Sequence, residues 1–170
     1  MGAIVGLMVI SLCICTCSGG MAVFLRGRAT AAPKIVYVGE SVEEKGWEVM
    51  VTDYPRLADK VGDATMQNLY ETPEGMFLIV PIQLKNMGDV GKRGWAYTAY
   101  KIIDETGEEF EADLDATYAH MTVSNISRVP SLEPGARWEG ELVFDIPADV
   151  GPLKLRIESF DENVLFDLEM

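Results

Sequence analysis

His120 is the one histidine of the chain, so any acid–base or nucleophilic chemistry built on imidazole must use it. A Ser-His-acid arrangement needs a hydroxyl set against the ring and a carboxylate behind it. Ser124 and Asp115 are close in sequence, but no serine sits in a G-x-S-x-G elbow. We therefore expect a surface or loop histidine without a catalytic part. One imidazole, with no cysteine after Cys17, also leaves zinc without a ligand set. Carboxylates are plentiful in three runs: Glu40 to Glu44, Glu105 to Asp115, and Asp161-Glu162. Asp113 and Asp115 supply two of the roughly six to eight oxygens that calcium takes, and no D-x-D-x-D-G loop is present. Carboxylate pairs at glycosidase spacing arise by chance in any strongly acidic domain. The expectation is no metal, no cofactor and no enzyme.

Aromatic residues offer a different chemistry. Sugars stack on exposed rings, and Trp95, Tyr97 and Trp138 are the candidate platform, with Tyr100 beside them. Trp47 alternates in step with Val49 and Val51, which places it in the core. Core or interface packing is the ordinary alternative for the other tryptophans too. Asn125-Ile126-Ser127 is a glycosylation acceptor sequence, meaningful if the domain is exported and the host glycosylates.

The elements that would carry these residues are unevenly charged. Residues 1–25 hold no Asp, Glu, Lys or Arg, so all 27 acids and 14 bases lie beyond them, and the net charge is −13. Such a surface repels phosphate backbones and anionic lipid, which excludes nucleic acid as a partner. Cys13, Cys15 and Cys17 all fall in the uncharged stretch. No disulfide can staple the remainder, which must live on its hydrophobic core.

The uncharged run 2–25, as a helix, would reach about 36 Å, enough to cross a hydrocarbon core of about 30 Å. We read 1–25 as a transmembrane anchor or signal-anchor and 26–34 (RGRATAAPK) as a linker. A cleaved signal peptide lacks its positive leading region here. A lipoprotein signal is the other alternative, with Cys17 as the lipidated residue, although Thr16 stands where a smaller residue is usual.

From residue 35 to 170 apolar residues recur with period two. Met76, Leu78, Val80, Ile82 and Leu84 share a face, as do Leu142, Phe144 and Ile146, Leu153, Leu155 and Ile157, and Val164, Phe166 and Leu168. A Trp95-Tyr97-Ala99 run alternates likewise. Turn residues separate the runs, and Asp104–Gly107 reads as a hairpin. The pattern predicts an all-β antiparallel sandwich of about seven to nine strands. Residues 114–121 suit a turn or two of helix. Pro81 interrupts the longest run, so that strand is expected at a sheet edge or bulged. Segments 55–75 and 113–131 read as long irregular loops, the first places to look for binding.

The order of Val38-Gly39-Glu40-Ser41-Val42, Ile82–Gly88, Ile103–Phe110, Leu132-Glu133-Pro134-Gly135 and Gly140–Pro147 resembles a family of immunoglobulin-like domains of unknown function. That family occurs in bacterial and archaeal lipoproteins and membrane-anchored proteins. It is related in fold to the secreted immunoprotective antigen of mycobacteria. The resemblance implies a two-sheet sandwich outside the cytoplasm and carries over no catalytic residue. Arg26 and Arg28, following the apolar run, argue for the opposite orientation. We side with the outside. The expected function is a membrane-anchored, extracytoplasmic binding or structural domain whose partner is a protein or a cell-envelope component. The alternatives are a carbohydrate-binding module and a subunit of a surface filament or envelope complex.

Overall fold

The computed structural model describes residues 32–66, 69–93, 99–126, 131–158, 160 and 164–170. The expected anchor over 1–25, Cys17, and the linker up to residue 31 lie outside the described residues. Among the described residues no helix is long and apolar enough to cross a membrane.

Two five-stranded sheets form a β-sandwich. In the first, β1 (Lys34–Tyr37), β14 (Val164–Asp167), β13 (Lys154–Ile157), β9 (Tyr100–Ile103) and β10 (Glu109–Glu111) lie in that order. In the second, β12 (Arg137–Ile146), β7 (Met76–Asn86), β3 (Trp47–Val51) and β2 (Ser41–Glu44) are neighbours, and β4 (Arg56–Ala58) also pairs with β7. Among the described residues two small ladders accompany these sheets: β5 (Val61–Gly62) with β6 (Tyr70–Glu71), and β8 (Lys92–Arg93) with β11 (Ser131–Leu132). One helix, α1 (Leu114–Val123), lies between β10 and β11 in the chain.

The period-two faces close on one another as expected. Leu78, Val80, Ile82 and Leu84 of β7, Leu142, Phe144 and Ile146 of β12, and Leu155, Ile157 and Phe166 from the first sheet are all buried in one cluster. Each such side chain contributes about 1.5–3 kcal/mol on burial, against about 0–1 kcal/mol for a surface ion pair, so this layer dominates stability. The hairpin at Asp104 is present. Ile103 faces Glu109 across it, and the Asp104 carboxylate accepts from the backbone N–H groups of Thr106 and Glu108.

Four expectations change, the last of them at Pro81. There are fourteen strands among the described residues, not seven to nine. The segment 55–75, read as irregular, contains β4, β5 and β6. These are two or three residues long, too short to show a period, and β4 exists because β7 offers it a free edge. Nor is the sandwich purely antiparallel, because β1 runs parallel to β14, Lys34 against Val164 and Tyr37 against Asp167.

Pro81 is neither at an edge nor bulged. β7 pairs with β12 in unbroken register from Met76–Ile146 to Lys85–Arg137. On its other side β3 ends opposite Ile82 and β4 begins opposite Ile79. Pro81 falls in that gap. Its carbonyl, which accepts from Thr52 N–H at 3.1 Å, points into the gap. The missing N–H of proline would point the same way, so no ladder bond is lost.

The outer face of the second sheet carries a smaller apolar cluster, in which Phe77 and Ile79 of β7 and Val143 of β12 are covered by Ala116 of α1 and Val61 of β5. Asp113 starts the helix, its carboxylate accepting from Ala116 N–H at 2.8 Å. Asp115 in the first turn suits the positive end of the helix dipole. Asn125, with φ of +55°, stops the helix, a conformation asparagine tolerates better than most residues. The helix start also extends the edge of β12. Asp113 N–H donates to Val143 C=O at 2.8 Å, and Val143 N–H donates to the Thr117 hydroxyl at 3.0 Å.

Candidate functional site

Three elements converge on one carboxylate. β12 alternates, so Leu142 points inward and Glu141 outward. α1, pinned by Thr117 to Val143, brings His120 over Glu141, and β4 brings Arg56 from the other side. Arg56 donates to both Glu141 oxygens, at 2.6 and 2.9 Å, a bidentate pair. His120 Nε2 lies 2.5 Å from Glu141 Oε2. At that distance Nε2 must carry a hydrogen, because otherwise two lone pairs would face each other. The 3.3 Å approach of Arg56 Nη2 to the same nitrogen is therefore a contact and not a hydrogen bond.

The Arg56 guanidinium holds the Glu141 carboxyl below the usual range, with His120 helping and burial opposing. Chemically this is a saturated carboxylate clamping α1 and β4 onto β12. His120 is correspondingly a partly buried helix residue and not the surface or loop histidine expected, since its imidazole turns to Glu141. Glu141→Gln is expected to cost about 1–2 kcal/mol, the lower part of the range for hydrogen bonds to charged groups, because Arg56 is half exposed and screened. The folded-state pKa is depressed. The wild-type advantage is therefore full above the ordinary value of about 4.5 and fades as pH falls through the lower folded value. Urea unfolding of both proteins at about pH 7 and about pH 3 checks this, and equal margins at both pH values would refute it.

The remaining sequence candidates are scattered. Trp138 is 6% exposed in the sandwich core, its ring lying over Gly140, and presents no face to a sugar. Trp95 and Tyr97 lie outside the described residues. Tyr100 is fully buried. Asn125 is exposed at the end of α1, with Ser127 outside the described residues. Asp113 is taken up as the helix cap. The acidic run after Asp104 is drawn onto two bases: Lys101 meets Glu109, Glu111 and Glu158 at 3.4, 3.5 and 2.9 Å, and Arg156 meets Glu109 at 2.7 Å. Among the described residues no group of three His, Cys, Asp or Glu side chains is placed to hold a metal.

Two clefts open at one end of the sandwich, on either side of Ile146–Ala148. One, of about 290 Å³, is apolar, with Ile146 and Leu153 at its floor and Leu57, Met76, Val150 and Met170 around it. The other, of about 550 Å³, holds Phe110 together with Glu74 and Asp145. Asp145 accepts from the N–H groups of Glu74 and Gly75, at 2.7 and 3.1 Å, which fixes the loop entering β7. Sequence reasoning missed Arg56, Glu141 and both clefts. Arg56 and Glu141 are 85 residues apart, and a cleft lined from β4, β7, the 147–153 loop and the C-terminal residues has no linear signal.

The same architecture occurs in solved structures. A conserved hypothetical protein from Bacillus anthracis superposes with a TM-score of 0.61 at 19% identity, covering 78% of this chain and 96% of that one. An uncharacterized β-sandwich protein from Clostridium difficile 630 gives 0.53 at 15% identity, covering 79% and 93%. The secreted protein MPT63 from Mycobacterium tuberculosis gives 0.49 at 11% identity, covering 81% and 99%. At such identities the first two show a likeness of fold alone. No protein with a curated description matches the sequence. The family pattern described as "Domain of unknown function (DUF4352)" matches residues 36–164, and the chain belongs to that family.

Proposed function

We propose that this chain is an immunoglobulin-like binding domain, non-catalytic, held outside the cytoplasm by a membrane anchor in its uncharged N-terminal segment. One observation carries the binding role: the apolar cleft stands open at one end of a rigid two-sheet scaffold. The commitment of His120 and Glu141 to a clamp supports the non-catalytic reading. The anchor rests on residues 2–25 being uncharged and long enough to span a bilayer.

Protease added to intact cells tests the placement. Digestion within 34–170, with the protein remaining in the membrane fraction after alkaline washing, is the expected result. Full protection in intact cells together with digestion after lysis would put the domain in the cytoplasm.

A further inference from the structure

We propose that the apolar cleft between Leu57 and Met170 receives an extended segment of a partner protein, one or two apolar side chains flanked by lysine or arginine. This deepens the binding reading above and rests on it, but not on the membrane anchor.

The cleft's shape sets the apolar part. Ile146 and Leu153 at the floor are 2% and 1% exposed, while Leu57 and Met170 at the rim are 50% and 44% exposed. Large apolar side chains held open over an apolar floor gain when a partner covers them. About 290 Å³ is near the lower limit of small-molecule sites, roughly 300–1,000 Å³, which suits one or two side chains.

The charges around the cleft set the flanks. Glu74 and Asp145 line the adjoining cleft across Ile146–Ala148. Asp149 is exposed on the 147–153 loop, and the carboxylate of Glu105 reaches Gly151 on the same loop. Glu169 precedes Met170, and its charge beside Tyr54 raises the pKa of that hydroxyl. Among the described residues no Lys or Arg lines either cleft. Two bases lie nearby: Arg56 is committed to Glu141, and Lys154, next to Leu153, stands across from Asp167 in register, so the acids at this end outnumber them. The potential over this end is therefore negative, which draws in basic segments and repels acidic ones. A second copy of the chain would bring its own net charge of −13, which disfavours self-association here.

The test uses the full chain in nanodiscs of neutral phosphatidylcholine and a fluorescein-labelled peptide with a Leu-Phe-Leu centre and two Lys or Arg residues on each side. Empty nanodiscs supply the background. The expected result is binding at least about tenfold tighter than that of a peptide with the same centre and Glu or Asp flanks. Leu57→Gln and Met170→Gln, both at exposed positions and adding no charge, should each weaken it by about tenfold or more. Equal affinity for the two peptides, or unchanged affinity in both folded variants, would overturn the proposal. So would a photo-cross-linker at position 57 that joins two copies of the chain. The assay has no membrane sidedness, so a failure here is distinguishable from a failure of the protease experiment.

Discussion

Asn86→Ala is expected to destabilise the domain by about 3–5 kcal/mol, the larger of the two strongest effects we anticipate. Asn86 is fully buried at the end of β7. Its amide nitrogen donates to the carbonyls of Val90 and Leu132, both at 2.8 Å, and its amide oxygen accepts from Gly88 N–H at 2.9 Å. Its backbone is engaged as well, with Ala136 and Gly135. One side chain thus ties β7 to the 87–91 loop and to β11. Truncation removes three hydrogen bonds at about 1–1.5 kcal/mol each and strands buried polar groups. Asn86→Asp should be no milder. It keeps the acceptor for Gly88 but turns a carboxylate toward two carbonyls at a fully buried position. Its deficit should shrink at acid pH, where the protonated carboxyl can donate. The urea midpoints of the three proteins decide the matter. A loss below about 1 kcal/mol for Asn86→Ala would mean that the loop reorganises around the gap.

Gly140→Val is the second, at about 3 kcal/mol, the upper end of the usual overpacking range. A Cβ at position 140 would stand 2.1 Å from two ring carbons of Trp138. The indole lies along β12 over the position two residues on, inside the core, and only hydrogen leaves room for it. A side chain at 140 must push the ring out of a densely packed layer. Gly140→Ala should show the same displacement more weakly, with Trp138 emission shifted to the red. Trp138→Leu should partly rescue Gly140→Val, because the clash lies with the ring. If the double variant is no more stable than Gly140→Val alone, the backbone and not the indole is what requires glycine.

These two residues mark what could be read along the chain. The turn at Asn86-Met87-Gly88 is legible from residue types, as are the strand to its left and the inward face of β12. Period two sorts side chains into faces before any partner is known. What Asn86 bonds to was not legible, since Leu132 arrives 46 residues later. Nor does the sequence mark Gly140 as indispensable, because only the orientation of the Trp138 ring in the folded strand brings the indole over position 140. Pro81 argued for an edge because proline cannot join a ladder on both sides. The gap between β3 and β4 removes that conflict and belongs to the chains beside it, not to its own neighbours in sequence.

The sequence by itself determined the all-β class, the inward residues of the long strands, the hairpin at Asp104 and the acidic character of the domain, because each follows from local periodicity or composition. Tertiary structure alone decided the parallel β1–β14 pairing, the short strands within 55–75, the clamp at Glu141 and the cleft beside Leu57. Each of these joins residues distant in the chain whose meeting depends on the register of other strands, and no local pattern encodes a register.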